Sequence, residues 1–173
     1  MDVLTSSSAT VPTMPNAAYT LKRRIGSIKT NASGQWVKFI QDGDQFYWDL
    51  PVADIVATNP GTALVVRTLP STPLGLRVAA VLSVVGGAPT ATNVPAGIYV
   101  WDPAINSTPT LGAGGVVTIE PYSANASPLY AGGQTVVMTN TSQQVNSKVS
   151  VSGSDTSLTI TVIGWIDRRG RDS

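Results

Sequence analysis

Acidic side chains are the groups in this sequence that could support catalysis by paired carboxylates. The chain contains no histidine and no cysteine, which excludes a serine triad, a cysteine–histidine dyad and zinc sites built on those residues. A glycosidase needs only two carboxylates, but the chain has a single glutamate. We therefore expect a protein that is not an enzyme and has no catalytic residue, although a glycan-degrading activity stays open as an alternative. The plausible members of a carboxylate pair are Asp49, Asp54, Asp102 and Glu120.

Metal and phosphate sites have little support in the sequence. The stretch Asp42-Gly43-Asp44 has calcium-binding side chains, but it lacks the further oxygen ligands and the terminal glutamate of a calcium loop. Asp-Gly is instead typical of a tight hairpin turn. The glycine-rich stretch at residues 112–115 opens no helix and carries no lysine, unlike a phosphate-binding loop. We expect no metal and no cofactor.

Aromatic side chains in long connections are the candidates for binding a sugar. A flat ring stacks on the apolar face of a pyranose, while nearby polar groups bind its hydroxyls. Residues 102–115 and 121–133 form two such Gly-, Pro- and Asn-rich connections. Packing of these aromatic rings in the core is an equal alternative, and Trp36, Trp48 and Trp165 lie in predicted strands and are expected in the core. The receptor-binding candidates are Trp101, Asp102, Tyr122 and Tyr130.

Two basic clusters lie near the two ends of the predicted domain. One interpretation is a solvated sheet edge on which Lys and Arg prevent pairing with another chain. The other is that both clusters lie at one end of the domain and bind carboxylates of a neighbouring subunit or phosphate on lipopolysaccharide. The clusters are Lys22, Arg23 and Arg24, and Arg168, Arg169 and Arg171.

Overall charge and hydropathy exclude several classes of partner. The formal net charge is only +1, so no strong field attracts nucleic acid or an anionic membrane. The longest apolar run, residues 78–85, is less than half of the roughly 20 residues that a membrane helix needs, so we expect no membrane insertion. Charged residues make up 12% of the chain, against about 25% in ordinary soluble proteins. Such a surface suits a protein outside the cell or one that packs against copies of itself.

The pattern of apolar residues predicts strands throughout. Residues 143–166 are predicted to form one hairpin, with Leu158, Ile160, Val162 and Ile166 on one face of its second strand and Trp165 on the other. A second hairpin is expected to turn at Asp42-Gly43, with Phe46, Trp48 and Leu50 facing the core. The further predicted strands are residues 19–29, 63–68, 76–85, 97–101, 116–120 and 134–139.

About nine short strands at this spacing are typical of an antiparallel β-sandwich of jelly-roll type. Residues 1–18 are rich in Ser, Thr and Pro and are expected to form an extended arm or linker. Residues 19–173 are expected to form the single β-sandwich domain.

Six stretches of this sequence, in this order, resemble a region of bacteriophage tail-fibre and other virion fibre proteins. The resemblance covers most of the chain, but it carries over no ligand-binding residue. The stretches are PTMP at 12–15, YTLKRRIGSIKT at 19–30, DLPV at 49–52, NPGT at 59–62, MTNT at 138–141 and GWIDRRGR at 164–171.

The resemblance implies a β-rich structural module of the virion, assembled in the host cytoplasm. It further implies a homotrimer that contacts other virion proteins and attaches to a glycan on the bacterial surface. A head fibre or capsid decoration protein without a receptor role would share the same fold and stays open as an alternative. In longer relatives, the residues equivalent to 2–4 lie inside a preceding β region, which implies that they add a strand to another domain or subunit.

Overall fold

The computed structural model describes residues 4–8, 11–16, 18–87, 97–110, 118–119, 130–153 and 155–169. Within these ranges, every regular element is a strand and every strand pair is antiparallel, which confirms the all-β prediction. The same ranges contain no helix long and apolar enough to cross a membrane. The strands are β1 (Phe39–Asp42), β2 (Gln45–Thr58), β3 (Val65–Thr68), β4 (Ala79–Gly87), β5 (Ile98–Trp101), β6 (Thr118–Ile119), β7 (Tyr130–Met138), β8 (Gln144–Val149) and β9 (Ser157–Ile166).

The strands form two sheets that share one hydrophobic core. The five-stranded sheet has the order β1-β2-β9-β4-β7, and the four-stranded sheet has the order β3-β8-β5-β6. Both sheets contribute to the core because each presents alternate apolar side chains on one face. The five-stranded sheet supplies Leu82, Val84, Leu158, Ile160 and Val162, and the four-stranded sheet supplies Ile98, Val100, Val145 and Val149.

The hairpin of β1 and β2 forms at the predicted turn. Gly43 has a φ of 57°, a value that glycine adopts without steric cost, and Asp42 pairs with Gln45 across the turn. Phe46 is buried as predicted, but Leu50 is 80% exposed, so its predicted core position was wrong. The register between β2 and β9 shifts between Tyr47 and Val52. Because of this irregularity, the Leu50 side chain does not follow Phe46 and Trp48 on the face that points into the core.

The alternation predicted for β9 holds only for its first half. Leu158, Ile160 and Val162 are fully buried, as predicted, but Trp165 is also fully buried and Ile166 only partly so. The predicted faces of these last two residues were therefore reversed. Opposite β4, Val81 pairs with Gly164 while the adjacent Leu82 pairs with Val162, so β9 has one extra residue there. A bulge of this kind moves all later side chains to the opposite face.

The predicted hairpin over residues 143–166 does not exist. Strand β8 pairs with β3 and β5, whereas β9 pairs with β2 and β4 in the other sheet. The connection between β8 and β9 therefore passes from one sheet to the other. Val145, Ser147 and Val149 of β8 are buried as one predicted face, and β9 alternates as predicted in its first half, but alternation does not specify which strands become neighbours.

Three of the four tryptophans lie in the core. Trp165 stacks on Phe46 with ring centroids 5.1 Å apart, and Trp48 lies 4.9 Å from Trp165 at a tilted angle. The predictions for Trp48 and Trp165 are thus confirmed. The prediction for Trp36 was wrong, because its side chain is 68% exposed at an isolated bridge to Thr30.

The described residues before β1 form no regular strand or helix. Residues 19–29 were predicted to form a strand, but no strand occurs there, so this prediction was wrong. Arg24 and Ser27 attach the segment to Asp167 by side-chain hydrogen bonds. The other predicted strands exist as β3, β4, β5, β6 and β7, with different ends. The boundary between an arm at residues 1–18 and a domain from residue 19 stays a prediction.

Candidate functional site

An open groove lies where one end of the five-stranded sheet meets one end of the four-stranded sheet. Arg77 precedes β4, and the end of β7 lies beside it because Ala79 pairs with Met138. Asp102 follows β5, which belongs to the other sheet. The groove has a volume of about 380 Å³ and is lined by Arg77, Asp102, Pro103, Ala104, Asn140 and Thr141.

The charged pair of the groove is held by a turn that begins at Asp102. The Arg77 guanidinium donates a hydrogen bond to Oδ2 of Asp102. Oδ1 of Asp102 accepts the Ala104 N–H at 2.9 Å, and its backbone carbonyl accepts the Ile105 N–H at 3.0 Å. Aspartate favours such turns because its side chain accepts a hydrogen bond from the backbone two residues on. The Asp102 carboxylate is only 13% exposed and the Arg77 side chain 51%, so Arg77 is the more accessible member.

The opposite wall of the groove is the turn between β7 and β8. Oδ1 of Asn140 accepts the N–H groups of Ser142 and Gln144, both at 2.9 Å, while its Nδ2 donates to the Gln144 side chain at 2.9 Å. The Thr141 carbonyl accepts the Gly75 N–H at 2.9 Å. The Asn140 amide thus holds the turn in place, and the exposed Thr141 hydroxyl remains available to a ligand.

This arrangement can bind a small polar ligand. A guanidinium carries five N–H donors in a fixed plane, and Asp102 is the one hydrogen-bond acceptor for Arg77 among the described residues. Asp102 adds a carboxylate acceptor, and Pro103 and Ala104 add a small apolar surface. Donors, acceptors and an apolar patch within one open groove fit the hydroxyl groups and ring face of a sugar.

The described carboxylates are held apart by separate partners. Asp49 forms an exposed ion pair with Lys38 at 3.1 Å. Asp54 accepts the backbone N–H of Ser71 at 2.8 Å and its hydroxyl at 2.7 Å. Glu120 lies outside the described residues, as does any pairing it makes. Within the described ranges, the groove therefore offers Asp102 alone as a carboxylate, and no cluster of acidic side chains there could hold a metal ion.

The structure separates the four residues predicted to bind a receptor. Asp102 lines the groove, but the Trp101 side chain is fully buried and cannot stack on a sugar in this structure. Tyr130 is 63% exposed at the end of β7 farthest from the groove, where it pairs with Gly87. Tyr122 lies outside the described residues. Arg77, Asn140 and Thr141 were not predicted from the sequence, although an arginine directly before the longest apolar run was a usable signal.

The two basic clusters meet at Asp167. Arg24 donates to Oδ2 of Asp167, and the backbone N–H of Arg169 donates to its Oδ1 at 2.8 Å. The Arg169 guanidinium also binds Asp44, with Nε at 3.1 Å from the carboxylate. The carboxylates that bind Arg24 and Arg169 therefore belong to the same chain as the two arginines, and not to a neighbouring subunit.

The remaining members of the basic clusters have different surroundings. Lys22, Arg23 and Arg168 are exposed, and Arg171 lies outside the described residues. A role for these four in binding a neighbouring subunit or an anionic surface stays a prediction.

Comparison with known proteins adds no further assignment. No family model matches the chain, and no curated protein is similar to it.

Proposed function

We propose that this chain is a non-enzymatic structural component of a bacteriophage fibre that attaches the virion to a glycan on the bacterial surface. The groove around Arg77 and Asp102 is the proposed glycan site. The observation that carries this proposal is the accessible Arg77 guanidinium beside the oriented Asp102 carboxylate. In this arrangement a donor and an acceptor face the same open groove.

The groove would recognise neighbouring hydroxyl groups of a sugar. Free N–H groups of Arg77 donate to sugar oxygens, while Asp102 and the Thr141 hydroxyl accept hydrogen bonds from sugar hydroxyls. Pro103 and Ala104 contact the ring face. Because none of the described residues that line the groove is aromatic, we expect weak binding at each site. Several copies in one assembly would then supply the avidity needed for attachment.

Fold and composition support a structural role outside the cell. Two antiparallel sheets with one shared core are consistent with a jelly-roll-like β-sandwich, which we propose as the architecture. A charged fraction of 12% suits a chain that packs against copies of itself and against other virion proteins. The proposed homotrimer rests on the resemblance to fibre proteins.

One observation favours a second candidate, a head fibre or capsid decoration protein without a receptor role. Trp101 is fully buried and Tyr130 lies away from the groove. The described part of the groove therefore lacks the aromatic platform that is typical of sugar-binding proteins. A decoration protein would keep the fold and show no binding to host cells.

The test is saturable binding of the purified protein to intact cells of candidate hosts, with envelope-polysaccharide mutants of those hosts as controls. We expect binding that is lost in the polysaccharide mutants. Arg77→Gln should reduce the affinity about tenfold, since the loss of one charged hydrogen bond of about 1.4 kcal/mol changes a dissociation constant by that factor. Lys38→Gln is the matched control, because Lys38 forms an exposed ion pair with Asp49 and does not line the groove.

Each outcome of this experiment decides between the candidates. Wild-type affinity in Arg77→Gln would reject the groove as the binding site. No saturable binding by the folded protein to any host would favour the decoration protein. Release of reducing sugar from host polysaccharide would show a glycan-degrading enzyme and reject the non-enzymatic proposal.

A further inference from the structure

The sheet edges of this protein differ in their protection against pairing with another chain. Natural edge strands are kept short or carry charged residues or proline, because an exposed row of backbone groups otherwise recruits another strand. Strand β1 has four residues and ends at Asp42, β3 has four residues and contains Arg67, and β6 has two residues. Strand β7 has nine residues with the sequence YAGGQTVVM, without a charged residue or proline. Among the described strands, β7 alone is a long and unprotected edge.

The outer face beside this edge is also apolar and uncharged. Val136 on β7 is 51% exposed, and Val85 on the neighbouring β4 is 39% exposed. Val136 lies opposite Val81, and Gln134 lies opposite Ser83. The solvent-facing side of a sheet normally carries charged or strongly polar residues. This face carries none that is charged, so it is better suited to contact with protein than to contact with water.

We propose that β7 pairs antiparallel with β7 of a second copy of this chain, around a two-fold axis at Gln134. This pairing would join the two five-stranded sheets into one continuous sheet. Gln134 is the central residue of Tyr130–Met138, so it lies opposite its own copy. Val136 then lies opposite Gly132, and Tyr130 opposite Met138.

In this register, two antiparallel copies of β7 place complementary side chains opposite each other. Each large outer side chain lies opposite glycine or a flexible methionine. Gly132 has no side chain that could clash with the partner's Val136. The two Gln134 amides can donate to and accept from one another.

The lack of charge selects a second copy as the partner. In a two-fold contact each residue on the axis meets itself, and like charges directly opposite each other are destabilising. Strand β7 carries no charge to repel its copy, and it offers no charge that would select a foreign partner. This inference does not depend on the proposed function, and it predicts an even number of copies, including two trimers joined through β7.

The first test is the molar mass in solution by light scattering, with a matched pair of lysine variants. Val136 and Val66 are 51% and 49% exposed, and both lie on edge strands, β7 and β3. We expect an even-numbered assembly for the wild type and for Val66→Lys, and half that mass for Val136→Lys. Circular dichroism should show that all three are folded. A monomeric or odd-numbered wild type, or an unchanged mass in folded Val136→Lys, would overturn the proposal.

The second test uses the absence of cysteine from the chain. Residues directly opposite in an antiparallel pair have Cα atoms about 4.5–5.5 Å apart, within the range that a disulfide spans. We expect Gln134→Cys to form a covalent dimer on mild oxidation, and Val66→Cys to stay uncrosslinked. Adding Val136→Lys to Gln134→Cys should abolish the crosslink. Equal crosslinking of both single variants, or none in Gln134→Cys, would reject the β7 contact.

Discussion

Gly86 on β4 and Ile98 on β5 meet across the two sheets, so closely that a Cβ added to Gly86 would lie 1.7 Å from Cδ1 of Ile98. Both residues belong to β-strands of regular pairing, but to different sheets. The absence of a side chain at Gly86 therefore sets how closely the sheets approach. This contact makes the packing of the two sheets directly testable.

Gly86→Ala should destabilise the protein by about 1–3 kcal/mol, because an added methyl group overpacks the contact. Ile98→Val alone should cost about 0.5–1.5 kcal/mol, but in the Gly86→Ala background it should recover part of the loss by removing Cδ1. Urea denaturation measures all three free energies of unfolding. Gly133→Ala is the control, since an added Cβ there has no atom within 4 Å. Additive losses in the double variant would show that the two residues are not in contact.

Asp167→Asn should destabilise the protein by about 2–3 kcal/mol, because Asp167 makes charged hydrogen bonds in a buried position. Its side chain is 1% exposed, and it accepts hydrogen bonds from Arg24, Ser27 and the Arg169 backbone. The matched control is Asp49→Asn, whose exposed ion pair should contribute less than about 1 kcal/mol. Equal losses of unfolding free energy in Asp167→Asn and Asp49→Asn, measured by chemical denaturation, would contradict the role of Asp167 in holding Arg24 and Ser27 at the end of β9.

Trp101→Ala should cost about 3–5 kcal/mol of stability, since the ring is fully buried and its removal leaves a large cavity. Trp101→Phe should cost less, because the indole N–H has no acceptor among the described residues. The control is Trp36→Ala, which removes a ring that is 68% exposed and should change stability by about 0.5 kcal/mol or less. Wild-type melting of Trp101→Ala together with lost adhesion would instead place Trp101 at the receptor.

Lys29 should make stability rise with pH on the alkaline side. Burial lowers the pKa of Lys29 below its ordinary value of 10.5, and the Asp54 carboxylate offsets part of this lowering. Between the lowered pKa and 10.5 the unfolded chain binds more protons than the folded chain, so stability increases with pH. At pH values below the lowered pKa, Lys29 is protonated in both the folded and the unfolded chain. Burial of its charge then lowers the free energy of unfolding by an amount that does not change with pH.

Lys29→Gln should remove this rise. We expect the free energy of unfolding of the wild type, relative to Lys29→Gln, to increase as the pH approaches 10.5. Urea denaturation over a series of pH values measures the difference, with Lys38→Gln as a control for the loss of a lysine at an exposed position. A difference that stays constant or falls with pH would show that the Lys29 ammonium is not buried at a cost.

The sequence was sufficient for those features of the fold that depend on neighbouring residues. Alternating apolar residues predicted the described strands, together with one at residues 19–29 that does not form. They also predicted the buried positions of Leu158, Ile160 and Val162, because side chains in a strand point to opposite faces in turn. Asp42-Gly43 predicted the first turn, because glycine adopts positive φ without a steric cost. In the candidate site, the sequence indicated Asp102 through its position beside a long polar connection.

The tertiary structure decided everything that depends on residues distant in the chain. It placed β8 and β9 in different sheets, buried Trp101, and brought Arg77 to Asp102 and Arg24 to Asp167. Alternation is the same for a strand in either sheet, and one bulge near Ile163 reversed the faces of Trp165 and Ile166. The physical reason is that strand pairing and the meeting of distant charged groups are set by the packing of the whole core, whereas periodicity records only the local backbone.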